Sequence, residues 1–233
     1  KGEISYKIGL KEKTEDFYRE CYQKIEREME KRSLILHTAG HGWTCEALGY
    51  PSNGWIQANH EPDEEMLSIM AELNGVRKLN DGIPMNTNLC YSNPKAQERF
   101  VQGVISYIKA HPYVDFVHIW LADAMNAMCE CPNCKNVFPT DHYVEVLNLL
   151  DRRMTEEKLD CHLVFLLYLE LLNAPIKERL HNPDRFTLMF APISRSFLNS
   201  YPEKIKEIFI KQFSKTGESD FYIENIEINS ELP

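Results

Sequence analysis

Three cysteines lie close together near the middle of the chain, at Cys129, Cys131 and Cys134. A C-x-C-x-x-C spacing can place three thiolates around one tetrahedral ion at about 2.3 Å, and a structural zinc site needs a fourth protein ligand. We expect Cys90 to supply it, because it follows a predicted strand beside the central one. The sequence thus predicts a structural zinc, with a disulfide from Cys90 or free thiols as alternatives. A nucleophilic cysteine is disfavoured, since no His and Asn accompany the thiols at a fixed spacing.

Polar groups precede these cysteines at the end of an apolar run. The β-branched and aromatic residues from Val114 to Leu121 predict a strand that is buried on both faces of a parallel sheet. Asp123 and Asn126 follow directly. Ligands of α/β folds bind at the carboxyl ends of strands, so this segment is the candidate site.

The rest of the chain alternates strands and helices. Further strands are predicted at 33–37, 83–89, 162–169, 186–191 and 220–226, and helices at 14–32, 62–73, 93–109, 140–159 and 202–213. This order predicts an α/β fold with a parallel sheet and right-handed crossovers. No glycine-rich dinucleotide turn is present, so we expect a (β/α) TIM-type barrel and no organic cofactor. An eight-fold barrel usually needs about 250 residues. The 233 residues are therefore interpreted as one domain, 1–233, an incomplete barrel from a longer chain.

Aromatic, amide and charged side chains occur where the predicted strands end. Such a set suits a carbohydrate, because planar rings stack on sugar faces and fork-like polar groups bind pairs of hydroxyls. The predicted substrate-binding residues are His37, His41, Trp43, Asn88, Tyr91, Trp120, Asn126, Tyr168 and Arg195. Any one of them is more often a packing residue, so the prediction depends on the whole set.

Two carboxylates in this set are candidates for catalysis. Glycosidic cleavage usually needs a pair of carboxyl groups, and Asp123 and Glu170 each follow a long apolar strand. Glu170 suits the acid, because the leucines around it disfavour its charged form, whereas Asp123 would stay ionised. The alternative is structural: Asp123 caps a loop and Glu170 pairs with an arginine.

The composition of the chain limits the kinds of partner that can be expected. A net charge of -9 without a basic stripe argues against nucleic acid. The most apolar segment, Leu163 to Leu172, is too short to cross a bilayer and contains Glu170, so no membrane association is expected. Seven cysteines are an odd number, which favours metal binding or reduced thiols over a disulfide scaffold. No signal peptide is visible, and both a cytoplasmic and an exported location stay open.

Four strings carry a resemblance to a known family: HTAGHGWTCEALGY, GIPMNTNLCYSNP, HIWLADAMNAMCECPNC and FLLYLELLNAP. They closely resemble a bacterial family of glycoside-hydrolase-like TIM barrels, a domain of unknown function often encoded with polysaccharide-degrading genes. The resemblance extends from about residue 14 to about residue 195, and it implies a (β/α) barrel and work on carbohydrate. A more distant likeness is to β-hexosaminidases, which carry an Asp-Glu pair after a central strand. Here Ala124 follows Asp123, so the glutamate of that pair is absent.

Two functions follow as hypotheses. The first is a glycoside hydrolase-like enzyme with carbohydrate as its substrate. The second is a non-catalytic carbohydrate-binding or assembly module on a degenerate glycosidase barrel. A zinc enzyme acting on another substrate is disfavoured, because a thiol-rich site usually closes the coordination sphere of the metal.

Overall fold

A computed structural model describes residues 20–52, 54–125 and 127–191. The predicted helix at 202–213, the predicted strand at 220–226, and the site residues Asn126 and Arg195 lie outside the described residues.

The described part of the chain forms a four-stranded parallel sheet and a small hairpin. In chain order the strands are β1 (His37–Gly40), β2 (Glu72–Leu73), β3 (Val76–Arg77), β4 (Phe116–Ile119), β5 (His162–Leu167) and β6 (Phe186–Phe190). The sheet has the order β1-β4-β5-β6, and β2 pairs antiparallel with β3. The predicted parallel α/β arrangement is confirmed. Closure of the sheet into a barrel is not seen in the described residues.

Five α-helices accompany the strands within the described residues. They are α1 (described over residues 20–30), α2 (Trp43–Leu48), α3 (Glu64–Ile69), α4 (Pro94–Ala110) and α5 (Pro139–Glu156). Helix α4 begins where the sequence predicts, because Pro94 needs no N–H partner at the first position and the Asn93 side chain accepts a hydrogen bond from Lys95 N. Among the described residues, no helix has the length and apolar character needed to cross a membrane.

The core lies between the long helices and one face of the sheet. Val117 and Ile119 of β4 are fully buried, and so is Leu163 of β5. The predicted inner face of α4, with Phe100 and Val104, packs into the same cluster. Burial of this alternating strand face by helices is what fixes the register of the sheet.

The predicted strand at 83–89 is wrong. The chain forms 3-10 turns there, Asn80–Gly82 and Pro84–Asn86, and only Leu89 makes an isolated bridge, to Met70. Pro84 has no N–H for a ladder, and the Thr87 hydroxyl closes the turn by bonding Asn80 N and Ile83 O. Strand β1 therefore pairs directly with β4.

Two predicted boundaries also change. The strand expected at 33–37 begins only at His37, so His37 lies at the amino end of the sheet. The helix expected at 62–73 ends at Ile69, because the chain turns into the β2–β3 hairpin. Asn74 and Gly75 connect its strands with φ of 51° and 77°, and positive φ at both positions is the requirement of a type I′ turn.

Candidate functional site

The four cysteines predicted to bind zinc meet in one buried cluster. The sulfur atoms of Cys90, Cys129, Cys131 and Cys134 all lie within 4.8 Å of one another. Cys90 Sγ is 3.7 Å from Cys131 Sγ and 3.9 Å from Cys134 Sγ. A disulfide requires about 2.05 Å, so these sulfurs are not bonded; all seven cysteines are free. Four thiolates at about 2.3 Å from a tetrahedral ion would be about 3.8 Å apart, which the observed distances match.

Backbone hydrogen bonds fix the segments that carry these thiols. Cys90 N donates to Ile69 O at 2.8 Å, which ties Cys90 to the end of α3. Cys134 N and Lys135 N both donate to Cys131 O, at 2.9 and 3.0 Å, and so form a tight turn. Cys90 was predicted to lie here because it would follow a strand next to the central one. Its position comes instead from the turns that precede it in the chain.

The β2–β3 hairpin covers the cluster and supplies hydrogen-bond donors. Glu72 N donates to Cys129 Sγ at 3.3 Å, and Arg77 Nη2 lies 3.9 Å from Cys90 Sγ. Arg77 also forms an ion pair with Glu72 at 3.5 Å. Such contacts would offset the excess negative charge of four thiolates if a divalent ion were bound. The role of Arg77 beside the cluster was not predicted from the sequence, although Asn74-Gly75 is a strong signal for the hairpin that carries it.

The pKa values of Cys90 and Cys131 are lowered, whereas hydrogen bonds within the cluster and burial raise those of Cys129 and Cys134. Hydrogen bonds from the Cys129 and Cys134 thiols lower the pKa of Cys90 far below its ordinary value. Burial opposes ionisation of Cys131, but hydrogen bonds from the Asn133 N–H, from the Cys129 thiol and from Cys134 together outweigh it, so the pKa of Cys131 is lowered as well. Thiolates are the form that binds metal.

A second group of side chains lies where β1 and β4 end. His41 Nδ1 is 2.7 Å from Leu121 O, and because a carbonyl can only accept, the ring carries a proton on Nδ1. Its other nitrogen, Nε2, faces Asp123 Oδ1 at 3.7 Å. Trp120 packs edge-on against His41, with ring centroids 4.9 Å apart. Gly40, at φ 155°, permits this arrangement, since a Cβ there would lie 3.2 Å from the Trp120 ring.

Tyr168 and Glu170 follow the next strand, β5. Burial, and then the negative charges of Asp123 and Glu170, raise the pKa of the Tyr168 hydroxyl. Both carboxylates are therefore within electrostatic reach of one side chain. Glu170 lies in a half-buried 3-10 turn, Leu169–Leu172. Leu169 has φ 51°, which is uncommon for a bulky residue and shows that surrounding contacts hold this turn.

Two predicted binding residues are buried supports. Asn88 and Tyr91 are only 2% and 1% exposed, and Tyr91 OH donates to Asn88 Oδ1 at 3.1 Å. The same oxygen accepts from Ala122 N at 3.3 Å. In this position they hold the loop after β4 in place and offer little surface to a ligand.

Trp43 and His37 also differ from their expected places. Trp43 is buried, and its Nε1 donates to His118 O at 2.8 Å, so it forms part of a wall. His37 Nδ1 lies 3.1 Å from His118 Nε2, at the end of the sheet away from Asp123. Sequence reasoning missed His118, whose signal was a polar residue within an apolar strand, and Trp55, which is 57% exposed with its ring 6.4 Å from His41.

No protein-family model, curated protein or solved structure matches this chain.

Proposed function

We propose that this chain is part of a (β/α) barrel that acts on a glycan, as a glycoside hydrolase-like domain. The observation that supports this most is the collection of polar and aromatic side chains after three neighbouring parallel strands. His41 follows β1, Trp120 and Asp123 follow β4, and Tyr168 and Glu170 follow β5. Carboxyl ends of parallel strands are where barrel enzymes place their active sites.

The proposed roles follow from the surroundings of each group. Glu170 is assigned as the acid that donates a proton to the leaving oxygen of the glycosidic bond, and Asp123 as the carboxyl group that assists attack at the anomeric carbon. His41 is held by Leu121 O and keeps its Nε2 edge beside Asp123, so it positions that carboxylate. Trp120 and the exposed Trp55 provide planar surfaces for sugar rings.

A panel of aryl glycosides tests the catalytic pair. We expect the full chain to cleave at least one of them, and Asp123→Asn and Glu170→Gln to lower the rate at least ~100-fold each. Glu64→Gln is the matched control, because that side chain is exposed in the first turn of α3 and does not follow a strand of the parallel sheet. If the parent is active and both variants keep its rate within about threefold, the assignment of the pair is wrong.

Glycan binding without cleavage is the second candidate. The exposed Trp55 beside His41 favours it, because such a ring can stack on a sugar whether or not a bond is broken. Glycan binding alone does not require a pair of catalytic carboxyl groups. Binding of an oligosaccharide that Trp55→Ala weakens, with no cleavage of the panel, would support this candidate over the enzyme.

We also propose that the cysteine cluster binds one structural Zn²⁺ through Cys90, Cys129, Cys131 and Cys134. The donor set fits, because four thiolates close a tetrahedral site and leave no position for substrate. When bound, the ion supplies cross-linking of the chain rather than chemistry on the glycan. It would join the turn at Cys90 to the loop that follows β4.

A further inference from the structure

A cleft of about 580 Å³ lies between α2 and α4 and opens beside His41. Its size is within the range of small-molecule sites, about 300 to 1,000 Å³. Its lining includes two aromatic rings and four polar side chains: Trp43, Tyr107, Glu46, Arg99, Gln102 and Ser106. None of the proposed catalytic carboxylates is part of it, but His41 borders both the cleft and Asp123.

Gly103 on the floor of this cleft has no explanation in packing. It lies in the middle of α4, where glycine costs about 1 kcal/mol relative to alanine. A Cβ added to it would meet Glu46 Cβ at 3.6 Å, an ordinary contact, so the approach of α2 tolerates a methyl group. The missing side chain therefore keeps the cleft open at a cost in helix stability.

The walls of the cleft are already organised. Trp43 is fixed by its bond to His118 O and meets the Tyr107 ring edge-on, with centroids 5.3 Å apart. Tyr107 OH is 2.6 Å from Thr38 Oγ1. A ligand would therefore lose little free energy to ordering of these side chains.

The lining also defines the chemistry of the ligand. The two charged side chains of the lining have opposite signs, and each already has a partner: Glu46 Oε1 accepts from Ser52 Oγ at 3.3 Å, and Arg99 forms an ion pair with Glu65 at 3.3 Å. Their remaining oxygens and N–H groups, with the Gln102 amide and the Ser106 hydroxyl that it bonds at 3.1 Å, can still donate and accept hydrogen bonds. Neutral polyhydroxylated molecules match such a set.

We propose that the cleft between α2 and α4 is a second sugar subsite, which binds a neutral glycosyl unit next to the unit held at His41 and Asp123. The proposal rests on the proposed function, since it extends the same glycan beyond the strand ends. It makes the glycan an oligosaccharide of at least two units and gives α4 a direct part in recognising it.

Substitutions of Gly103 test the cleft. We expect Gly103→Ala to raise the melting temperature by about 2 to 4 °C, because a helical glycine is removed and a methyl fits. Gly103→Leu should fill the cleft and weaken binding at least ~10-fold. Ala110→Leu adds similar bulk to the exposed end of α4 and is the matched control. A lower melting temperature for Gly103→Ala would overturn the argument, because packing would then require the glycine.

Binding is measured by amide chemical-shift perturbation with neutral methyl glycosides and their β-linked and α-linked disaccharides. The expected result is perturbation at Gln102 and Ser106 by the disaccharides, lost in Gly103→Leu and kept in Ala110→Leu. Shifts confined to residues near Trp120 and Asp123 would overturn the subsite and leave the proposed function standing. Absence of shifts with every sugar would overturn both.

Discussion

Removal of one sulfur from the cysteine cluster is the sharpest test of the metal centre. In Cys90→Ser the hydroxyl cannot replace a thiolate as a zinc ligand, so the ion should be bound far more weakly. The other three thiols would also lose the partner that lies 3.7 Å from Cys131 Sγ and 3.9 Å from Cys134 Sγ. We expect the variant to unfold at a clearly lower temperature than the parent.

The magnitude follows from mass action. An ion that binds the folded chain alone, at 100 times its Kd, stabilises by about 2.7 kcal/mol. For a chain of this size each 1 kcal/mol shifts the melting temperature by about 2 to 4 °C, so the expected loss is about 5 to 11 °C. Structural zinc sites bind more tightly than this case assumes, which makes the figure a lower bound.

The assay combines metal analysis with thermal unfolding. Protein purified without added zinc should contain one equivalent, and a chelator should lower its melting temperature by the amount given. Cys45→Ala is the control, because Cys45 is equally buried but outside the cluster, and it should keep the full equivalent. Less than about half an equivalent in the parent, with no change on chelation, would refute the reasoning.

Two further predictions concern stability. Asp151 and Arg185 form a largely buried ion pair, so Asp151→Ala should cost about 3 kcal/mol or more, measured by urea unfolding; a loss below about 1 kcal/mol would contradict it. Burial, and then the charge of His37, lower the pKa of His118. The unfolded chain therefore takes up that proton first, so the stability it contributes is present above about pH 6.5 and is lost as the pH falls through the folded pKa. The free energy of unfolding should fall less between pH 7 and pH 5 in His118→Gln than in the parent, and equal falls would count against this.

The sheet was predictable where strands are long and apolar. β4, β5 and β6 all lie within their predicted ranges, because β-branched and aromatic residues have few alternatives once one face is buried. The strand predicted at 83–89 is wrong for the opposite reason, because this segment has a local alternative to strand pairing. Its apolar residues are separated by Pro84 and by Thr87, whose hydroxyl bonds the backbone locally and replaces a ladder.

The members of the cysteine cluster were predictable, but their surroundings were not. A C-x-C-x-x-C motif limits the possible geometry, and one further thiol completes it. Arg77 and Glu72 come from a hairpin whose position over the cluster depends on tertiary contacts, such as Glu130 N to Glu72 O at 2.8 Å. The burial of Asn88 and Tyr91 could not be predicted from their position at the end of a predicted strand. Amide and phenol groups at such positions also serve as hydrogen-bonded core residues.

The two candidate sites are connected through the same two segments of chain. Asp123 N donates to Met85 O at 3.0 Å, and Asn88 Oδ1 accepts from Ala122 N, so the segment before Cys90 holds the start of the loop after β4. The cluster holds the far end of that loop, because Cys90 meets Cys131 and Cys134. A bound ion would thus hold the far end of this loop, while these hydrogen bonds hold its start at Asp123. A closed thiolate site of this kind would support the position of Asp123 through the loop, without itself contacting a ligand.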